Sequence, residues 1–318
     1  MIDDFASILR AGILPGIGQS PASEDGFKGW LVHAAYVPTL VDDKTTALNR
    51  VNVEAFSKAL SFDFERFCLS AQESFLVSTV EYERFKSIGW PLLKLYYSAF
   101  FSAHSIMRSR GAGVVKIERQ QANYISQLLD IYSPGSRRFS PGVYFFALEK
   151  KAGDTVGEAT VTFTPASDGK GVHEGFWEIF SSYMEDQAAL AAAQQLPDHI
   201  SFIKYASDLK EAIMTGGSGA AWFSELRNKI NYQHKYEAWM PYNRRSQAYT
   251  AMPAGELTFP GSARLDFSKQ KDPIKAFLAI SCYISYLNSL LAEYIAGLSK
   301  SGGAFGQKWT RLLATVRT

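Results

Sequence analysis

The sequence predicts a mainly α protein, an antiparallel helical bundle with a long insertion and small β elements. Two observations on spacing lead to this fold class. Apolar residues recur at helical spacing between residues 90 and 110, and again as a clean stripe between residues 277 and 294. Composition agrees, because 47% of the 318 residues are hydrophobic and only 20% are charged, which provides material for a packed core and excludes a disordered chain.

Charge and cysteine content restrict the class of protein. The chain has 33 Lys and Arg against 31 Asp and Glu, so any contact with nucleic acid has to be a local patch. Two cysteines, Cys68 and Cys282, are too few for a disulfide framework or a cysteine-based zinc site and indicate a reducing compartment. Residues 1–4 lack the pattern of a signal peptide, and the apolar segment 276–298 carries several polar residues. We therefore expect a cytoplasmic protein with no membrane association.

The first 110 residues divide into an unassigned part and a helical part. Residues 1–60 form an N-terminal extension that either caps the bundle or pairs short strands. From about residue 62 to 110 the pattern is helical. The clearest helix begins at Trp90-Pro91, where proline suits the first turn, and ends at Gly111. Apolar residues form two neighbouring rows on this helix, which predicts that it lies deep in the bundle. The first row is Leu93, Tyr97, Phe100, His104 and Met107, and the second is Leu92, Tyr96, Ala99, Ala103 and Ile106.

We place the helical domain at residues 61–299. Within it, residues 111–197 have the composition of an insertion. The pattern predicts a helix from Ile117 to Ile131 and then a loop that ends at Gly142. Two strand-like runs follow, Val143 to Leu148 and Ala159 to Thr164, and they predict a hairpin around Ala152-Gly153-Asp154.

Helices return after the insertion. One contains Phe202, Ala206, Leu209 and Ile213, and a second runs from about residue 220 to 240, before Pro241. Residues 249–267 predict a loop or hairpin, and Asp272-Pro273 begins a long helix. Residues 300–318 form a basic tail, which either is solvated or docks on a partner or on RNA.

The helix around residue 227 carries the best candidate for chemistry. Arg227 and His234 are seven residues apart, so on a continuous helix both side chains leave the same face, and Asn231 lies between them. Arginine binds phosphate oxygens with a planar fork, and histidine transfers protons near neutral pH. This combination suits metal-independent cleavage of RNA, with Arg227 holding the phosphate and His234 moving the proton.

Other interpretations of these residues stay open. Arg227 can pair with a surface carboxylate, and His234 can be a histidine with a satisfied hydrogen bond at the edge of the core. Four neighbouring residues are candidates for RNA binding: the charges of Lys229 and Lys235 and the rings of Tyr232 and Tyr236, which can stack on bases. The rings equally suit the core of the bundle, and the charges equally suit a solvated surface. His104 lies in an apolar row and is expected to be a core histidine.

The motif and its surroundings resemble the HEPN ribonuclease family, whose motif is Arg, four to six residues, then His. The resemblance rests on Arg227-Asn228 with His234, on the aromatic and alanine-rich helix around Tyr96–His104, and on the long apolar helix at 273–297. It implies a HEPN-like bundle that dimerises, so that two Arg–His helices form one cleft. It also implies that Arg227 and His234 are the catalytic pair and that Asn228 is the polar residue that often follows the arginine.

The sequence thus leads to two functional hypotheses. The first is a metal-independent HEPN endoribonuclease of a defence or toxin system, cleaving RNA by attack of the 2′-hydroxyl. It would act as a cytoplasmic homodimer with an antitoxin or regulatory partner. No cofactor or metal is expected, since His173-Glu174 lacks the second histidine of a zinc protease helix. The alternative is a non-catalytic HEPN-like module that binds a partner protein or a nucleotide.

Overall fold

The computed structural model describes residues 2–18, 26–84, 87–149, 158–166, 172–214, 219, 221–236, 238–239, 272–299 and 304–315. Within these residues it contains ten helices: α1 (Ile2–Ala11), α2 (Gly26–His33), α3 (Val53–Arg84), α4 (Gly89–Ser109), α5 (Arg119–Tyr132), α6 (Val172–Ala193), α7 (His199–Met214), α8 (Ala221–Gln233), α9 (Pro273–Leu298) and α10 (Ala304–Ala314). The five strands in this part of the chain are β1 (Val37–Leu40), β2 (Thr46–Asn52), β3 (Ala112–Ile117), β4 (Gly142–Glu149) and β5 (Glu158–Pro165). The prediction of a mainly α fold with small β elements is confirmed.

Helix α4 is the centre of the bundle, because it packs against α3, α8 and α9. Both predicted apolar rows are inside: Tyr96, Ala99, Ala103 and Ile106 are fully buried, and only Tyr97 is half-buried. Three serines between these rows, Ser98, Ser102 and Ser105, are buried as well, and the hydroxyls of Ser98 and of Ser285 in α9 are hydrogen-bonded at 2.8 Å. Close packing over most of its surface fixes the rings that α4 presents to its neighbours.

Helix α9 begins where the sequence predicts. The Asp272 carboxylate accepts hydrogen bonds from the backbone N–H groups of Ile274 (2.8 Å) and Lys275 (3.3 Å), and Pro273 occupies the first turn. By length and mean hydropathy α9 could cross a membrane, but 72% of its most apolar window is buried inside the protein. It is therefore placed as a core helix, in agreement with its polar residues.

The strands form one five-stranded antiparallel sheet in the order β1-β2-β5-β4-β3. The predicted hairpin is confirmed, since β4 pairs with β5 with Phe146 opposite Phe163, although the turn at 152–154 lies outside the described residues. Phe27 of α2 stacks on Phe146 with ring centroids 4.1 Å apart. Of the two alternatives predicted for residues 1–60, the structure shows the pairing of short strands, because β1 and β2 join the sheet.

Three predicted boundaries differ from the structure. The domain boundary at residue 60 falls inside the continuous helix α3, and α6 packs against α7 and α8, so the inserted unit ends near Ala166 and not at 197. Helix α5 begins at Arg119, not at Ile117, because Ile117 pairs with Gly142 in the sheet.

The basic tail packs on its own chain, whereas the two predicted alternatives were a solvated segment and one docked on a partner or on RNA. Residues 304–314 form α10, whose Phe305 is fully buried against Phe64 of α3 with centroids 5.1 Å apart. The Lys308 ammonium contacts the Glu65 carboxylate at 2.7 Å. Phe305 and Trp309 are four residues apart and therefore lie on one face of the helix. This apolar face packs on the bundle. The segment 249–267 lies outside the described residues.

Candidate active site

The Arg227 side chain lies in the α4–α8 interface. It is only 8% exposed, and its guanidinium carbon is 5.4 Å from the ring centre of Tyr96 and 5.9 Å from that of Tyr97. One terminal nitrogen, Nη1, donates to the Asn228 side-chain oxygen at 2.8 Å. The tyrosine rings attract the cation through their faces, and Asn228 orients one side of the fork.

Arg227 is incompletely satisfied. Its Nε is buried and has no hydrogen-bond partner, and no carboxylate among the described residues forms an ion pair with the guanidinium. The interpretation that Arg227 pairs with a surface carboxylate thus finds no support in the described part of the chain. A buried cation with unused donors is costly in free energy unless an anion joins it.

The predicted common helical face of Arg227 and His234 is wrong. Helix α8 ends at Gln233, and His234 has a backbone φ of 50° and an exposed side chain. The chain turns back there, so that the Trp239 indole donates to the Ile230 carbonyl at 2.7 Å and packs on Gly89, where a Cβ would lie 2.4 Å from the indole. Burial of Trp239 against the start of α4 competes with continuation of the helix to residue 240.

The other predicted site residues take different places. Asn228 and Asn231 are both half-buried, and Asn228 is the one that accepts a hydrogen bond from Arg227. Tyr232 is 72% exposed and Lys235 is exposed, as RNA contacts would require. The Lys229 ammonium instead lies 3.8 Å from the Glu225 carboxylate, and both side chains are partly exposed. Tyr236 packs against the core.

His104 is a core histidine, as expected. Its ring stacks between Phe67 and Phe176 at centroid distances of 4.6 and 4.2 Å and is 4% exposed. Burial lowers the pKa of His104 well below its usual value, and the nearby charge of Arg108 acts in the same direction. A neutral ring stacked in this way contributes packing, with no access to a substrate.

A second histidine, His173 in the first turn of α6, lies beside Arg227 and was missed by the sequence analysis. Its Nδ1 is 3.2 Å from the Tyr96 hydroxyl, and its backbone carbonyl accepts a hydrogen bond from the Ser224 hydroxyl of α8 at 3.3 Å. Burial and then the charge of Arg227 lower the pKa of His173 to about 4. The sequence gives no signal that His173 lies beside Arg227, because the two residues are on different helices. In the sequence, His173-Glu174 suggests only an incomplete zinc motif.

The donor sets for metal binding are sparse. Among the described residues, no group of three or more His, Cys, Asp and Glu side chains is close enough to hold a metal ion. Both cysteines are buried and neither forms a disulfide, and burial raises the pKa of the Cys68 thiol to about 12. A neutral buried thiol is a poor nucleophile and a poor metal ligand.

Comparisons of the chain with family models, with curated proteins and with solved structures give no match.

Proposed function

We propose that the protein cleaves RNA without a metal ion and that Arg227 binds the phosphate of the scissile linkage. The observation that carries this proposal is the buried guanidinium, which has a free Nε and no carboxylate partner among the described residues. A phosphate accepts hydrogen bonds in the planar geometry that arginine offers, and its charge removes the cost of the buried cation.

The reaction is a transesterification in which all atoms come from the RNA. The 2′-oxygen bonds to phosphorus, the bond from phosphorus to the 5′-oxygen breaks, and the products carry a 2′,3′-cyclic phosphate and a 5′-hydroxyl. The 2′-hydroxyl loses a proton and the 5′-oxygen gains one. His234, exposed directly after the helix that carries Arg227, transfers the proton, while Arg227 offsets the charge that grows on the phosphate.

The resemblance to HEPN ribonucleases supports the same activity and extends it. It suggests a homodimer in which the Arg227 and His234 segments of two copies share one cleft, acting in the cytoplasm within a defence or toxin system with an antitoxin or regulatory partner. A composite cleft also suits the exposed His234, since a side chain that faces solvent in one copy is free to face a second copy.

The test is cleavage of an end-labelled RNA in the presence of EDTA, followed by analysis of the new ends. Arg227→Met and His234→Gln should each lower the cleavage rate by about 100-fold or more, and the parent should leave 2′,3′-cyclic phosphates. His199→Gln, in α7, is the matched control and should cut like the parent. Variants at Arg227 and His234 that cut as fast as the parent would contradict the proposal.

A second candidate function is a non-catalytic module that binds a phosphate-containing ligand. The low exposure of Arg227, at 8%, favours it, because a catalytic group has to reach the reacting atoms. This function predicts a folded dimer or monomer that binds RNA or a nucleotide through Arg227 and leaves it intact under every condition. Toxicity on overexpression that disappears in the His234→Gln variant would exclude it.

A further inference from the structure

His173 and Arg227 both contact Tyr96. The Tyr96 oxygen is 3.2 Å from Nδ1 of His173 and accepts a hydrogen bond from the Trp177 indole at 3.3 Å, and the Arg227 guanidinium carbon is 5.4 Å from the centre of the Tyr96 ring. Burial raises the pKa of Tyr96 to about 12, and the Trp177 hydrogen bond and the charge of Arg227 act against that rise. Polar groups from α6 and α8 thus lie around one fully buried tyrosine of α4.

The chemistry of these groups fixes where the protons are. Trp177 donates a hydrogen bond to the Tyr96 oxygen and cannot accept one. Nδ1 of His173 is therefore the acceptor that the described residues offer to the Tyr96 hydroxyl proton, which points to it. A neutral imidazole that accepts at Nδ1 carries its proton on Nε2. His173 is neutral near pH 7, since burial and the Arg227 charge disfavour the imidazolium form.

We propose that the Nε2–H group of His173 and the guanidinium of Arg227 together bind one phosphate of the RNA backbone. This inference rests on the proposed function and adds a second donor to the same site. His173 is half-buried, and its Nε2 has no partner among the described residues. The residue lies in the first turn of α6, where the positive end of the helix dipole favours an anion.

The surroundings of His173 suit a donor rather than a base. Among the side chains that the structure describes, the titratable groups that face it are Tyr96, Tyr97 and His104 of α4 and Arg227 of α8, and none of these four is a carboxylate that would compete with phosphate. A neutral donor keeps its proton during the reaction, so phosphate binding through His173 should not change between about pH 6 and 8.

The test measures binding without cleavage. The probe is a labelled 2′-O-methyl RNA, which lacks the attacking hydroxyl, and its dissociation constant is read by fluorescence anisotropy at fixed ionic strength. His173→Ala should weaken binding by about tenfold or more, because it removes a hydrogen bond to a charged group. His173→Gln, whose amide nitrogen takes the place of Nε2, should stay within about threefold of the parent. His199→Ala is the control and should bind like the parent.

Two results would overturn the inference: unchanged binding by a folded His173→Ala variant, or equal losses in the Gln and Ala variants. Should His173→Ala fail to fold, nitrogen-15 NMR of the parent decides, since the inference requires the Nε2–H tautomer and a shift of that signal on adding inorganic phosphate. An Nδ1–H tautomer would overturn it.

The outcomes separate this inference from the proposed activity. A parent that binds the probe through His173 and never cuts RNA supports the inference and removes the activity. Loss of cleavage in Arg227→Met with full binding in His173→Ala removes the inference alone. A parent that does not bind the probe contradicts both.

Discussion

Two buried arginines in this molecule have similar aromatic surroundings and opposite hydrogen-bond environments. Arg108, in α4, lies 4.6 Å from the Phe146 ring and donates to the carbonyls of Ala112 (3.2 Å) and Val114 (2.8 Å), with the Asp63 carboxylate 3.5 Å away. Arg227, in α8, lies over two tyrosine rings and donates only to Asn228 among the described residues.

The difference separates a cation whose hydrogen bonds the fold satisfies from one whose hydrogen bonds it leaves incomplete. Arg108 ties strand β3 to α4 and α3, and every part of its guanidinium has a partner supplied by the fold. Arg227 retains a buried nitrogen with no partner. Because buried polar groups in proteins are nearly always hydrogen-bonded, this unsatisfied nitrogen on a buried cation is the reason why we propose that Arg227 binds a phosphate.

The largest expected effect compares the two arginines directly. Arg108→Met should lower the free energy of unfolding by about 3–5 kcal/mol, because it leaves two carbonyls and Asp63 without their cation. Arg227→Met should change it by less than about 1 kcal/mol, since an apolar side chain of similar size replaces an unpaired buried charge. Urea unfolding of both variants measures the difference, and equal losses would remove the distinction.

A smaller effect tests how closely the sheet approaches Arg108. A Cβ on Gly113 would lie 1.2 Å from a terminal nitrogen of Arg108, so Gly113→Ala should destabilise the protein by about 1–3 kcal/mol. Gly297→Ala is the matched control, because nothing lies within 4 Å of its Cβ in α9, and it should be neutral or stabilising. Thermal unfolding of the two variants gives the comparison, and a neutral Gly113→Ala would show that Arg108 can move away freely.

The smallest expected effect is on the pH dependence of stability and concerns His173, the histidine beside Arg227. The folded-state pKa of His173 is lowered to about 4, below the ordinary value near 6.5. Between these two values the unfolded chain binds a proton that the folded chain does not, so stability is lost as the pH falls from about 6.5 to 4. His173→Gln should lose less stability than the parent over this range, and a loss equal to that of the parent would contradict the lowered pKa.

NMR titration of the histidine rings measures how the charge of each arginine affects the pKa of the histidine near it. Arg227→Met should raise the pKa of His173, because the charge of Arg227 is the second cause of its lowering. Arg108→Met should act on His104 instead, for the same reason. Equal shifts of both histidines in either variant would show that the two regions are not electrically separate.

The helical bundle was largely predictable, and the site only in part. The rows of apolar residues in α4 and the stripe and cap of α9 predict both helices, because burial of one face follows directly from helical spacing. Arg227 was found from the motif, and Asn228 with it. The end of α8 was placed incorrectly, since it depends on Trp239 packing against Gly89 about 150 residues earlier in the chain.

By itself, the sequence determined the fold class, the deep positions of α4 and α9, the β4–β5 hairpin and the identity of the buried arginine in α8. Tertiary structure alone decided that His173 lies beside Arg227, that His234 lies beyond the helix, and that the N-terminal strands complete a sheet with the insertion. The physical reason is the range of the interactions: periodicity and capping act within a few turns, whereas the environment of a side chain depends on helices that only packing brings together.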